Sequence, residues 1–232
     1  GATQIELPLA LENPTPPYHL IFDNELPAAP LLLQSISQLF QFSLGLAAWK
    51  EANGSRWALR CNASSGNLQP TEGYILLPPL KHISERSSLS HYAPKDHRLE
   101  RLCEFDSTLW ETLDDGSFLV ALSSITWREV WKYGERAFRY CSLDAGHAFR
   151  ALQVSAMMLG WKVQMLTDID DNNLSRLLGF DQTDRYIEDE GEFPDMLLAI
   201  SPLQKQEIDI TSLLTELPQR YEGSANRLSP SH

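Results

Sequence analysis

Residues 132–161 read KYGERAFRYCSLDAGHAFRALQVSAMMLGW. Two kinds of signal adjoin in this stretch. Residues 132–140 are dense in cations and phenols: Lys132, Arg136 and Arg139 stand among Tyr133 and Tyr140. The remainder predicts one long helix. Ser142 or Asp144 is expected to cap its start, because a short side-chain oxygen accepts from the first free N–H groups. Ala145, Ala148, Leu152, Ser155 and Leu159 recur at spacings of three and four and define one helical face. Ala151, Val154, Met157 and Met158 widen that face, and Gly160 is the expected left-handed stop. A helix this apolar belongs at the centre of a fold. A charged, aromatic cluster leading into it is one way to fix a binding site to rigid scaffold. A surface helix end with solvated arginines is the alternative.

Upstream, residues 31–46 are apolar nearly all round and predict a buried helix, and residues 57–61 turn toward strand character. Residues 73–77 predict a buried strand closed by Pro78 and Pro79. Residues 88–92 and 99–105 predict a hairpin turning at Pro94, Lys95 and Asp96. Asp106 is expected to cap a short helix, 117–125 to form an apolar strand, and 127–133 a helical turn. Downstream, strands are expected at 162–166 and 196–200. Helices are expected at 170–178, stopped by Gly179, and at 208–217. No regular βαβ rhythm runs through this order. The fold class is therefore α+β, a mostly antiparallel sheet carrying helices. Residues 1–30 hold six of the fourteen prolines, which oppose helix and central strand. They are expected to form an extended arm across a surface, with one domain at 31–217 and an irregular tail at 218–232.

Composition narrows the function. Of 232 residues 43% are hydrophobic, and the net charge is -12. An acidic surface repels phosphate backbones, so nucleic acid is not an expected partner. No apolar run is long enough to span a bilayer. Cys61, Cys103 and Cys141 are spread without a paired spacing, which argues against a zinc site or a disulfide framework and suits a cytoplasmic protein. No HExxH, GxSxG or GxGxxG is present, and no metal site is expected. The acidic run at residues 188–192 reads as a solvated loop, and His147 as a satisfied core histidine. The chain opens on Gly1 and closes on LSPSH, and both ends read as cuts in a longer protein.

Two constellations remain. The loop at residues 60–71 gathers Arg60, Asn62, Ser64, Ser65, Gly66, Asn67 and Gln69 before a strand. Such donors suit a polar ligand edge or a phosphate, although a turn-rich surface loop has the same composition. Lys132, Tyr133, Arg136 and Arg139 could hold an anion, and a lysine beside a tyrosine can serve as acid and base.

SSGNLQPTEGY, residues 64–74, resembles the SSxNxQPW-type loop of the FMN-dependent nitroreductase superfamily. The 132–161 stretch is similar to the central segment of its SagB-type branch, the thiazoline and oxazoline dehydrogenases, with the LDAGH step and the Lys132–Tyr133 pair as the specific part. The resemblance covers roughly residues 30–200 and extends to the first half of tandem members of that branch. It implies a nitroreductase-like α+β fold, a long central helix at a dimer interface, and FMN bound there. Its loop asparagine, here Asn67, would contact the flavin, with Arg60, Ser64, Ser65 and Gln69 as neighbours. Lys132 and Tyr133 would be the catalytic pair, Tyr133 as base beside a cation that favours its phenolate. Arg136 and Arg139 would serve phosphate or fold. The partner would be a second copy or a second half, and the substrate a small molecule or a modified peptide. The superfamily's arginine-rich phosphate motif has no counterpart before Leu31, and Arg220 or Arg227 is the candidate for its C-terminal cation. A domain that keeps the fold, loses FMN and acts as a scaffold is the alternative reading.

Overall fold

The runs TEGYILL at residues 71–77 and FLVALSS at 118–124 are buried at every position. Strands of this kind require cover on both faces of their sheet. The computed structural model describes residues 1–10, 15–22, 26–187, 190–203 and 208–223. Among these the strands are β1 (Thr3–Glu6), β2 (Leu46–Ala52), β3 (Ser55–Arg60), β4 (Thr71–Leu77), β5 (Ser87–Ala93), β6 (Arg98–Phe105), β7 (Phe118–Ser124), β8 (Lys162–Leu166) and β9 (Phe193–Ser201). The α-helices are α1 (Tyr18–Phe22), α2 (Leu33–Gln41), α3 (Trp127–Tyr133), α4 (Ala137–Met158), α5 (Asp171–Leu178) and α6 (Thr211–Glu216). Seven strands form one sheet in the order β1-β6-β5-β4-β7-β9-β8, and every pair is antiparallel.

Successive strand residues point to opposite faces, and the two cores follow that alternation. Ile75, Val120, Leu122 and Leu198 face Ile36, Leu39 and Phe40 of α2 and Ala148, Leu152 and Ala156 of α4. Leu76, Leu119, Ala121 and Leu197 face Leu174, Leu177 and Leu178 of α5 and Leu213 of α6. The result is the expected α+β architecture: an antiparallel sheet flanked by helices, with a long central helix.

The structure corrects several details. Helix α4 begins at Ala137, not at Ser142 or Asp144. Its buried face starts earlier than the small-residue pattern indicated, with Cys141 one turn and Ala137 two turns before Ala145. Ser142 bonds back to the Phe138 carbonyl at 3.0 Å, as serines inside helices do. Helix α2 stops at Gln41, and the chain turns at Gly45 into β2. Strands β2 and β3 form a separate hairpin whose turn carries Asn53 (φ 52°) and Gly54 (φ 78°). Asn-Gly is the strongest short hairpin signal, and the non-alternating AAWKEA before it concealed the first strand. Strand β9 begins at Phe193 rather than residue 196.

The described residues among the first thirty pack on the rest of the chain. β1 pairs with β6 at the sheet edge. Ala29 donates to the Leu159 carbonyl at 2.8 Å, and Trp161 Nε1 to the Ala29 carbonyl at 2.8 Å. Gly160, the expected stop of α4, has φ 69°, and a Cβ there would lie 2.4 Å from the Pro27 carbonyl oxygen. Gly160→Ala combines left-handed strain with that collision and is expected to cost about 2–4 kcal/mol, read as a lower denaturation midpoint at unchanged m-value. Arg227, His232 and most of the tail lie outside the described residues, as do residues 188–189 of the acidic run.

Candidate functional site

The segment between β3 and β4 enters the left-handed region three times, at Gly66 (φ 60°), Asn67 (φ 59°) and Gln69 (φ 54°). Asparagine tolerates this region better than most residues and glutamine does not. Such a run persists only where its surroundings over-determine it. Here the determinant is Asp144, buried in the interior of α4 at 1% exposure. It accepts from Ser64 Oγ at 2.7 Å, the Ser65 N–H at 2.9 Å and Ser65 Oγ at 2.8 Å. The expected helix cap is thus the post to which the loop is tied. Inside the loop the Gln69 N–H donates to Ser64 Oγ at 2.8 Å, and Gln69 Nε2 to Asn67 Oδ1 at 2.9 Å. Asn67 Nδ2 donates to the Ala58 carbonyl on β3 at 2.9 Å.

Helix α3 delivers the second constellation. Gly134 (φ 55°) ends it immediately after Lys132 and Tyr133. A Cβ built on Gly66 would lie 2.5 Å from Tyr133 Oη and 2.8 Å from Lys132 Nζ. Glycine is therefore required at 66 by both φ and space. Lys132 Nζ stands 5.3 Å from the Tyr133 ring centroid, and Tyr133 packs on Tyr140 at 4.5 Å between centroids. The serine-rich loop and the Lys-Tyr pair therefore meet at one point in space. Arg136 and Arg139 are exposed, and no hydrogen bond or ion pair joins either to the loop among the described residues.

Arg60 serves the base of the loop. Its Nη1 donates to the Thr71 carbonyl at 2.8 Å, and its Nη2 lies 3.5 Å from Glu72 Oε1. Glu72 is buried and also bonds Arg128, which donates to the Gln69 carbonyl at 2.7 Å. On its other side Glu72 meets His91 Nε2 at 2.7 Å, and His91 Nδ1 meets Glu100 at 3.2 Å. Burial pushes the Glu72 carboxyl up, but Arg128, Arg60 and His91 together hold it well below the usual range. Burial opposes charge on His91 as well, yet its bonds to Glu100 and Glu72 raise it to about 9.

The signs give a window. Glu72 contributes stability above its unfolded value near 4.5, and that stability is lost as pH falls. His91 contributes fully below about 6.5, and its contribution is lost as pH rises toward 9. Both operate between about pH 4.5 and 6.5. Thermal stability is expected to fall on each side, and His91→Gln should flatten the alkaline slope relative to wild type. Glu192, expected in a solvated loop, is instead buried, accepting from Tyr74 Oη at 2.6 Å and from Ser123 Oγ.

The donor set bears on the expected flavin. Gln69 Oε1 and both polar atoms of Asn62 are buried without a hydrogen-bond partner. Unpaired donors and acceptors of both kinds in one loop suit the edge of a flavin ring, which carries both kinds of group. The residues present fit the ring end of that cofactor. Among the described residues no group of side chains could hold a metal ion, and no helix is long and apolar enough to cross a membrane. Sequence reasoning missed Arg128, Glu72 and the true role of Asp144. An aspartate set between Cys141 and Ala148 on an apolar helical face was the signal available for the last.

The nitroreductase family profile matches residues 43–187. Among solved structures, a protein assigned as a nitroreductase from Anabaena variabilis aligns with TM-score 0.67 and 22% identity over 98% of this chain. The chain spans only 44% of that protein's length. One so assigned from Ralstonia eutropha aligns with TM-score 0.62 and 16% identity, covering 88% of this chain and 90% of its own. The E. coli microcin synthetase McbBCD complex with truncated pro-MccB17 bound aligns with TM-score 0.59 and 17% identity, covering 84% of this chain and 72% of that one. No curated protein matches the chain.

Proposed function

The chain belongs to the nitroreductase family, and from that premise we propose an FMN-dependent oxidoreductase of the SagB type that oxidises an azoline or a related small or peptide-borne heterocycle. The observation that carries this reading is the meeting of Lys132 Nζ and Tyr133 Oη with Gly66 of the loop. When bound, FMN supplies a two-electron hydride acceptor. The loop, with Asn67 and Gln69 and with Ser64 and Ser65 fixed by Asp144, would hold the ring end. Tyr133 takes the proton from the substrate carbon, and Lys132 stabilises the charge that develops on the phenol oxygen. Arg136 and Arg139 face solvent and are available for the phosphate end. A peptide-bearing complex among the structural relatives accords with a modified-peptide substrate.

The partner in this reading is a second copy or a second half. Val130, Trp131, Phe138 and Leu143 are large, apolar and exposed on α3 and α4, and the chain spans under half of the Anabaena variabilis relative. Free cysteines at 61, 103 and 141 accord with a cytoplasmic setting. The scaffold alternative, a domain that has lost FMN, is separated by titration. Added FMN is expected to bind with a perturbed absorbance band near about 450 nm and to be reduced on adding substrate. A chain that leaves FMN free at every concentration up to the millimolar range belongs to the scaffold reading.

A further inference from the structure

Gln69 sits in a conformation that its sequence opposes. Its φ is 54°, a region that glutamine seldom enters. It also precedes Pro70, and proline pushes the residue before it toward extended backbone. Both ends of Gln69 are held. Its N–H donates to Ser64 Oγ at 2.8 Å, and that hydroxyl is tied to Asp144. Its carbonyl accepts from Arg128 Nη1 at 2.7 Å. One residue on, the Pro70 carbonyl accepts from the Ile125 N–H at 2.9 Å, just before α3 begins. The loop is thus tied twice, at its first serines by Asp144 of α4 and at its last residues by α3 and the turn leading into it.

Arg128 is itself fixed. Its guanidinium pairs with Glu72, whose side chain is 3% exposed, and lies 5.7 Å from the Trp127 ring centroid. Glu72 is held in turn by Arg60 and His91. A planar guanidinium confined in this way is a rigid donor. Lys132 follows Arg128 by four residues on α3, one helical turn further along. One helix therefore carries both the residue that grips the loop and the pair that the loop meets at Gly66. The grip extends to Asn67, because Gln69 Nε2 donates to Asn67 Oδ1 at 2.9 Å.

We propose that Arg128 is a positioning residue, which by holding the Gln69 carbonyl keeps Asn67 and Gln69 in register with the Lys132–Tyr133 pair. Without that bond, the left-handed Gln69 loses the partner that holds its carbonyl and the end of the loop relaxes. The two halves of the site then no longer share a fixed geometry, and reacting groups depend on such geometry. The catalytic consequence rests on the oxidoreductase reading, while the tether is a property of the protein with or without FMN.

Hydrogen exchange of the FMN-free protein reads the tether directly. In Arg128→Met the amides of Asn67, Leu68 and Gln69 are expected to exchange about tenfold faster than in wild type, while those of β7 keep their wild-type rates. Removing Arg128 leaves Glu72 paired with Arg60 and His91, so no buried charge is stranded. Should that variant fail to fold, Arg128→Lys keeps a cation beside Glu72 without the planar fork, and the same amides should exchange about threefold faster. Unchanged loop amides, or loop and β7 amides accelerated alike, overturn the proposal. In the FMN-loaded enzyme, Arg128→Met is expected to lower kcat by about tenfold with KM within about twofold of wild type. A loosened loop with wild-type kcat also overturns the proposal. A loosened loop in a chain that binds no FMN supports the tether and counts against the oxidoreductase reading alone.

Discussion

Tyr133→Phe and Lys132→Ala are each expected to lower substrate oxidation by about 10²–10⁴-fold, the usual range for loss of a positioned acid–base group. The phenol oxygen and the ammonium both stand against Gly66, so both are removed from the same point of the site. The loss should appear in kcat, with KM changed far less, because a proton acceptor acts in the transition state and contributes little to ground-state binding. FMN affinity should stay within about threefold in Tyr133→Phe, since the ring of Tyr133 and its packing on Tyr140 are retained. Folding should be unaffected, because Lys132 is exposed and Tyr133 only half-buried. Wild-type turnover by both variants, measured with saturating FMN, would remove these residues from the mechanism. Equal loss in kcat and in FMN affinity would instead make them binding residues.

Asp144→Ala is expected to have the largest effect on the loop and on stability. It leaves the Ser65 N–H and two serine hydroxyls without their acceptor in a part-buried place. Breaking a buried, charge-assisted set of this kind costs about 3–5 kcal/mol. It also frees a segment whose three left-handed residues depend on being held. FMN affinity should therefore drop by at least about tenfold, equal to 1.4 kcal/mol. Asp144→Asn keeps the shape but loses the charge and one acceptor, and should fall between the variant and wild type. Ser64→Ala and Ser65→Ala should each cost about 1–2 kcal/mol, and their effects should largely vanish in the Asp144→Ala background. Denaturation midpoints for the four proteins and the double variants decide the matter. Additive costs would mean that Asp144 does not organise the loop.

What was legible in the sequence came from local pattern. The run at 73–77 and the middle of 117–125 are apolar without alternation, and the residues after Asp144 repeat at three and four. These patterns dictate a sheet covered on both faces and a central helix, because burial of each face is a local requirement of each element. The hairpin of β5 and β6 and the stop of α5 at Gly179 were equally local, while Asp170, expected as the first residue of α5, is instead its cap and accepts the Asn173 N–H at 2.8 Å. Even the missed hairpin had its turn spelled out in Asn53-Gly54.

Only the tertiary structure decided how distant side chains are shared. Ser64 and Asp144 lie eighty residues apart in sequence and 2.7 Å apart in space, and no periodicity records that bond. An aspartate near a helix start looks like a cap from sequence because the cap is a nearby acceptor. It became a buried anchor because the fold presented two serines to it. Glu72, His91 and Glu100 likewise come from three separate strands, and their cross-strand contact follows from register. The sequence by itself determined which surfaces must be buried, since hydrophobicity acts residue by residue. The structure decided which polar groups meet inside, since each such meeting depends on the geometry of two remote segments at once.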